Sequence, residues 1–153
     1  MNKAFKVMLI VVFVGLSGCA INRESASFDP NRDIVGTEVF FVERFEPDNR
    51  GLEQLIADNL SVRGYSATVG EKGEVPDKVD AIVTYVDKWM WDMRMYLLEL
   101  TISFRDPATG IAFATGNSYH TSLTALTPEE MIDEILNNIF LADEDPAAVE
   151  SSE

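Results

Sequence analysis

Asp106-Pro107-Ala108-Thr109-Gly110 separates the runs Met95 to Arg105 and Ile111 to Tyr119, and these residues decide how the chain folds. Proline presets φ for the second position of a turn, and glycine accepts positive φ without steric cost. A reversal here makes the two runs antiparallel neighbours, and a short loop sets Phe104 opposite Phe113. Ala81 to Met90 supplies a third run. A tight turn at about Trp91-Asp92 would join it to the second, bringing Ala81, Val83 and Tyr85 across from Ile102, Leu100 and Leu98. Alternate residues of a strand share a face. Those six therefore form the core side, and Ile82, Val86, Met90, Met95 and Leu97 fall on the other.

Upstream of this meander, Thr37 to Phe45 carries Val39-Phe40-Phe41-Val42, apolar on both faces as a central strand requires. Pro47-Asp48-Asn49 interrupts it and can cap a helix. Leu52, Leu55, Ile56 and Leu60 then recur at helical spacing, and Gly64 supplies the stop. Tyr65 to Val69 reads as a short strand, so the two strands flanking the helix should be parallel. Gly70 to Lys78 is a charged loop. Downstream, Thr127-Pro128-Glu129-Glu130 has the pattern of a capping box with proline at the first helical position. Met131, Ile135, Leu136, Ile139 and Phe140 follow as a buried stripe. The expected fold is α+β: a mixed five-strand sheet in the order β-α-β-β-β-β-α, both helices packed on one face. Residues 36–142 form this single domain. Residues 143–153 lack bases and periodicity and read as a disordered acidic tail.

This element order, with the Asp106–Gly110 hairpin, resembles small periplasmic domains of outer-membrane lipoproteins of unknown function. It is also similar to the amino-terminal domain of TolB and to the LpoB-type activators of penicillin-binding proteins. The resemblance implies an accessory role in the envelope and carries no functional residues with it.

The amino terminus assigns the compartment. Lys3 and Lys6 precede the apolar run Val7 to Leu16, and Leu16-Ser17-Gly18-Cys19 follows. A basic head, an apolar centre and small residues before a cut are the parts of a secretory signal peptide. The run is too short for a membrane span, which needs about 20 apolar residues. An ordinary signal peptide with an accidental cysteine is the rival reading, but Cys19 is the one cysteine in the chain. The stretch resembles the lipobox of bacterial lipoproteins. That resemblance implies removal of residues 1–18, diacylglycerol on the Cys19 sulfur and an acyl group on its amine. Palmitate is a typical chain. Ala20 stands where an aspartate would favour retention in the inner membrane, so the outer membrane is the expected site, facing the periplasm. Residues 19–35 read as the lipidated cysteine and a flexible tether.

Two of the 12 basic residues precede Cys19 and all 26 acidic ones follow it, so the charge beyond the cut is −16. Nucleic acid, whose binding rests on Lys and Arg at phosphates, is excluded as a partner. An anionic membrane surface would repel such a chain, so the lipid must hold it there.

Catalytic patterns are missing from the sequence. The one histidine, His120, lies two residues from Ser118 near a strand end, and its ordinary reading is a capping or solvent-facing side chain. Asp143, Glu144 and Asp145 lack the alternating ligands of a calcium loop. The expectation is no enzyme, no cofactor and no metal. The unusual stretch is Asp87 to Met95, with both tryptophans and three of the six methionines. Trp and Met are enriched at interfaces. Met90, Trp91, Met93 and Met95 are therefore the candidate partner-binding residues, with Trp89 pointing to the core; plain packing of the sheet end is the alternative. Two functions follow. One is a lipid-anchored module that binds an envelope protein; the other is a carrier or chaperone for a lipid or glycolipid. A groove lined by Trp89, Met90 and Met95 and wide enough for an acyl chain would favour the carrier.

Overall fold

The computed structural model describes residues 23–144 apart from 30, 31, 33, 35, 47 and 48, with side chains as far as 141. The signal segment, Cys19 and residues 145–153 lie outside the described residues.

The chain forms β1 (Arg23–Phe28), β2 (Val39–Glu43), α1 (Leu52–Val62), β3 (Ser66–Gly70), β4 (Ala81–Asp92), β5 (Arg94–Arg105), β6 (Ala112–Tyr119) and α2 (Pro128–Glu144). The α+β class stands, but the sheet has six strands in the order β1-β6-β5-β4-β2-β3. The additional strand lies in the stretch expected to be tether. Arg23–Phe28 pairs antiparallel with β6, and Ala26 and Phe28 pack against the core. Strands β2 and β3 are parallel, as the helix between them requires, and β2 is also parallel to β4.

Both helices lie on one face. Phe40, Val42, Val83, Tyr85, Leu100, Ile102 and Phe104 project from the sheet into a single cluster with Leu52, Ile56 and Leu60 of α1 and Met131, Ile132, Ile135, Leu136 and Ile139 of α2. An aromatic group locks α2 to the sheet. Phe140 stacks on Tyr65 at 5.0 Å and reaches Phe104 at 5.9 Å, while Phe40 lies 5.3 Å from Tyr65. Such pairs contribute about 0.5–1.5 kcal/mol each beyond the area they bury. Arg63 links the helices by donating to Asn59, Asn137 and Asp133. Gly116 lets α2 approach β6 closely, because a Cβ there would lie 2.6 Å from Ile135 Cγ2.

The helix ends show local rules at work. Tyr65 N–H donates to Leu60 O and Gly64 N–H to Ser61 O, the Schellman closure of α1. Thr127 N–H donates to Glu130 Oε2 and Glu130 N–H to Thr127 Oγ1, the reciprocal capping box. The start of α1 differs from expectation. Gly51, at φ 76°, occupies the cap position, and no side chain caps the helix. Helix α2 runs two residues into the segment read as tail.

Register differs in three places. Tyr85 pairs with Ile102 and Val83 with Phe104, a slip of four residues, of which three come from the hairpin turning at Met93 rather than Trp91-Asp92 and one from a bulge in β5. The slip is by an even number of residues, so the same face stays inward. A bulge then interrupts the β4–β5 ladder between the pairs Lys88–Glu99 and Trp89–Leu97, leaving Leu98 as the extra residue. It turns Leu97, expected on the outer face, into the core, where it is 1% exposed. At the other hairpin Phe104 pairs with Ala114, and the irregularity falls at Phe113. Gly110 N–H still donates to Asp106 O, closing the turn.

Candidate functional site

The site is built from one row of the sheet. Arg23 pairs with Tyr119, Tyr119 with Glu99, and Glu99 with Lys88, so these residues lie level across β1, β6, β5 and β4. Among the described residues of these four strands, only those of β4 and β5 continue beyond that row, out to the turn at Met93.

Trp89 anchors the hairpin. It packs on the core, its indole N–H donates to Asp87 Oδ2 at 2.5 Å, and the Arg50 guanidinium lies 4.2 Å over its ring. Its expected inward orientation is what the structure has. The next residues bury little. Met90 and Met95 are each about half exposed, Trp91 is 68% exposed and Met93 96%. The bulge sets Met95 opposite Trp91 and Met90 opposite Tyr96, so these two methionines, expected on one face, lie on two. Met93 holds φ 57°, the one positive value outside glycine among the described residues. That conformation is costly for a long side chain, and such outliers gather at functional positions. Asp92 and Arg94 flank Met93 and face each other across the ladder, while Lys88 lies back in the base row.

The loop between β6 and α2 lies at the same end. Leu123 in it is 89% exposed. Ala125, Leu126 and Pro128 border a cleft with Trp89, Met95 and Leu97 of about 230 Å³. Small-molecule sites commonly span about 300–1,000 Å³. This cleft is smaller, and Met90 does not line it, so it does not favour an acyl-chain carrier.

The opposite, uncovered face of the sheet is largely polar. Ser103 bonds Thr115 at 3.0 Å, Asn117 donates to Thr101 at 2.8 Å, and Arg105 donates to Thr84 at 3.0 Å. Toward β2 a broad depression of about 600 Å³ has Ile82, Val86 and Phe45 in it and Arg44, Lys72 and Arg105 around it.

His120 is buried, 3% exposed, rather than facing solvent. Its Nε2 lies 3.0 Å from Glu134 Oε2, and Ser118 Oγ donates to the same oxygen. The acid therefore stands between serine and imidazole. A hydrolytic triad needs the imidazole between them, and here the Ser118 hydroxyl donates to Glu134 rather than to His120. Burial pushes the Glu134 carboxyl up, but bonds from Ser118 and His120 outweigh it and hold the group below its ordinary range. The Glu134 carboxyl beside Glu24 on β1 pushes the Glu24 carboxyl up. Glu24 and Glu134 were not singled out in the sequence. Their meeting depends on β1 docking beside α2, which no local pattern announces. Among the described residues no group of three His, Cys, Asp or Glu side chains could hold a metal, and no helix is long and apolar enough to cross a membrane.

No family model and no curated protein matches the chain. Solved structures do. A PelC dodecamer from Paraburkholderia phytofirmans superposes with a TM-score of 0.56 at 12% identity, covering 78% of this chain and 97% of that one. A single-substitution variant of the same dodecamer, in another crystal form, gives 0.55 at 14% identity with the same coverage. At such identity the likeness is one of fold.

Proposed function

We propose that this chain is a lipid-anchored, non-catalytic accessory module of the cell envelope, held through Cys19 at the periplasmic face of the outer membrane, and that it works as one subunit of an assembly of its own copies. The observation that carries the reading is the match to PelC, a protein crystallised as a dodecamer. The likeness takes in 97% of that chain, so it extends to the whole subunit. The topology supports it. Strands β1 and β3 are the two sheet edges, at opposite sides of the domain. One head-to-tail contact repeated between unlike sides closes a ring when the rotation allows. The uncovered face, with its charged depression beside β2, is then the surface left for an envelope protein.

Mass photometry of the lipidated protein in mild detergent tests the assembly. One discrete species of many subunits is expected, and a monomer at every concentration would refute it. Lipidation has its own test. Cys19→Ser should leave a full-length precursor without label from a palmitate analogue, and equal label on the variant would remove the anchor from the reading.

A further inference from the structure

Strand β1 starts at the end of the sheet from which the β4–β5 hairpin projects. Strand β1 begins at Arg23, four residues after Cys19, and its first residue belongs to the row Arg23–Tyr119–Glu99–Lys88. Four extended residues span at most about 14 Å. From that row the hairpin continues five residues, Lys88 to Met93, in the direction opposite to the course of β1. At about 3.4 Å per residue it projects about 17 Å. The apolar tip therefore reaches at least as far as the chain that leads to the lipid. Leu123, in the loop after β6, lies at this end too.

We infer that the hairpin tip, with Met90, Trp91, Met93 and Met95, together with Leu123 of the loop at the same end, seats in the bilayer to which Cys19 is anchored. The inference rests on the lipoprotein reading of Cys19. Three further observations converge on a lipid surface rather than a protein. Trp91 is exposed where a tryptophan at a membrane–water interface gains most. Arg94 follows Met93 directly, so its guanidinium can reach headgroups while its stem stays in the apolar zone. Met93, the most exposed of the tip residues, adopts a left-handed conformation and buries almost nothing within the domain. The rest of a strongly acidic chain would be repelled by anionic lipid, so orientation falls to this one end. The acylated cysteine supplies attachment, and the hairpin sets how the domain stands on the surface.

The test uses the mature lipidated protein, residues 19–153, in vesicles of phosphatidylethanolamine with a minor share of phosphatidylglycerol. Met93→Cys carries an environment-sensitive NBD label, and Ala108→Cys, at the β5–β6 turn on the far end of the sheet, carries the same label as control. Cys19 is blocked by its thioether. Vesicles should shift the emission at position 93 to the blue and make it quenchable by nitroxide lipid, leaving position 108 unchanged. Intact mass must show diacylglycerol on Cys19. If it does not, both the anchor and this seat are withdrawn. Vesicle-bound, lipidated protein with position 93 as wet as position 108 would overturn the seat alone. So would a shift that precedes vesicle addition, which would assign the tip to contact between copies. A shift seen only with envelope proteins would assign it to a protein partner.

Discussion

Replacing Met93 with asparagine should stabilise the domain and weaken its seat on the membrane at once. The residue sits at φ 57° and is 96% exposed. Left-handed backbone costs an ordinary side chain about 1–2 kcal/mol, a penalty asparagine largely escapes through local hydrogen bonding. Removing a side chain that touches almost nothing forfeits no packing. The variant should gain about 1 kcal/mol, which for a domain of this size raises Tm by about 3–6 °C. In the membrane the sign reverses, because full burial of a methionine side chain contributes about 1.5–3 kcal/mol. Thermal melts of the detergent-solubilised protein read the first effect. Quenching of Trp91 by brominated lipid in vesicles, in a Trp89→Phe background, reads the second. Met93→Leu is the control, expected to keep the seat. A variant that loses more than about 1 kcal/mol would show that Met93 packs within the fold, and unchanged quenching would show that the tip does not enter lipid.

Gly116→Val should destabilise by about 1–3 kcal/mol, or more if α2 cannot shift, since the added atoms meet Ile135 and Ile139; urea melts check it, and a neutral result would mean that α2 does not press on β6. Glu24→Gln should be neutral or stabilising near pH 7, within about 1 kcal/mol. Glu24 is pushed up by Glu134, so the folded state takes its proton more readily than the unfolded one, and at neutral pH its charge opposes that of Glu134; a marked loss of stability would refute the like-charge account. The Arg32 guanidinium holds the Asp106 carboxyl at about 2, below its ordinary 3.8. A depressed acid contributes stability above its unfolded value and loses it as pH falls through the folded one. The advantage of the wild type over Asp106→Asn should therefore be nearly full above about pH 5, fall steeply between about pH 4 and pH 2 and disappear below pH 2, followed by urea melts at stepped pH; an advantage undiminished at pH 2 would mean that the ion pair is not its source.

The core was readable because its cause is local. Leu52, Ile56 and Leu60, or Met131, Ile135 and Ile139, repeat at the helical period, and period alone says which face is buried. The capping box at Thr127 and the turn at Asp106–Gly110 are equally local, each needing a few neighbouring residues to specify it. The stretch Leu16–Cys19 that resembles a lipobox is equally short.

Strand β1 was not readable, and its residues show why. Of the inward set Glu24, Ala26 and Phe28, one is charged and one is small, so the alternation that marks a strand is blurred. Glu24 is accommodated by the Asn138 amide, brought there by α2. The bulge at Leu98 is of the same kind, since inserting one residue depends on how β4 and β5 fit against α2 and its preceding loop. By itself the sequence determined the class of fold, the two helix faces, the acidity and the expected anchor, because propensity, period and charge act within a few residues. Only the tertiary structure decided that the supposed tether is an edge strand and that this strand starts level with the base of the Trp-Met hairpin. That placement follows from strand pairing between residues nearly a hundred positions apart, which no local preference encodes.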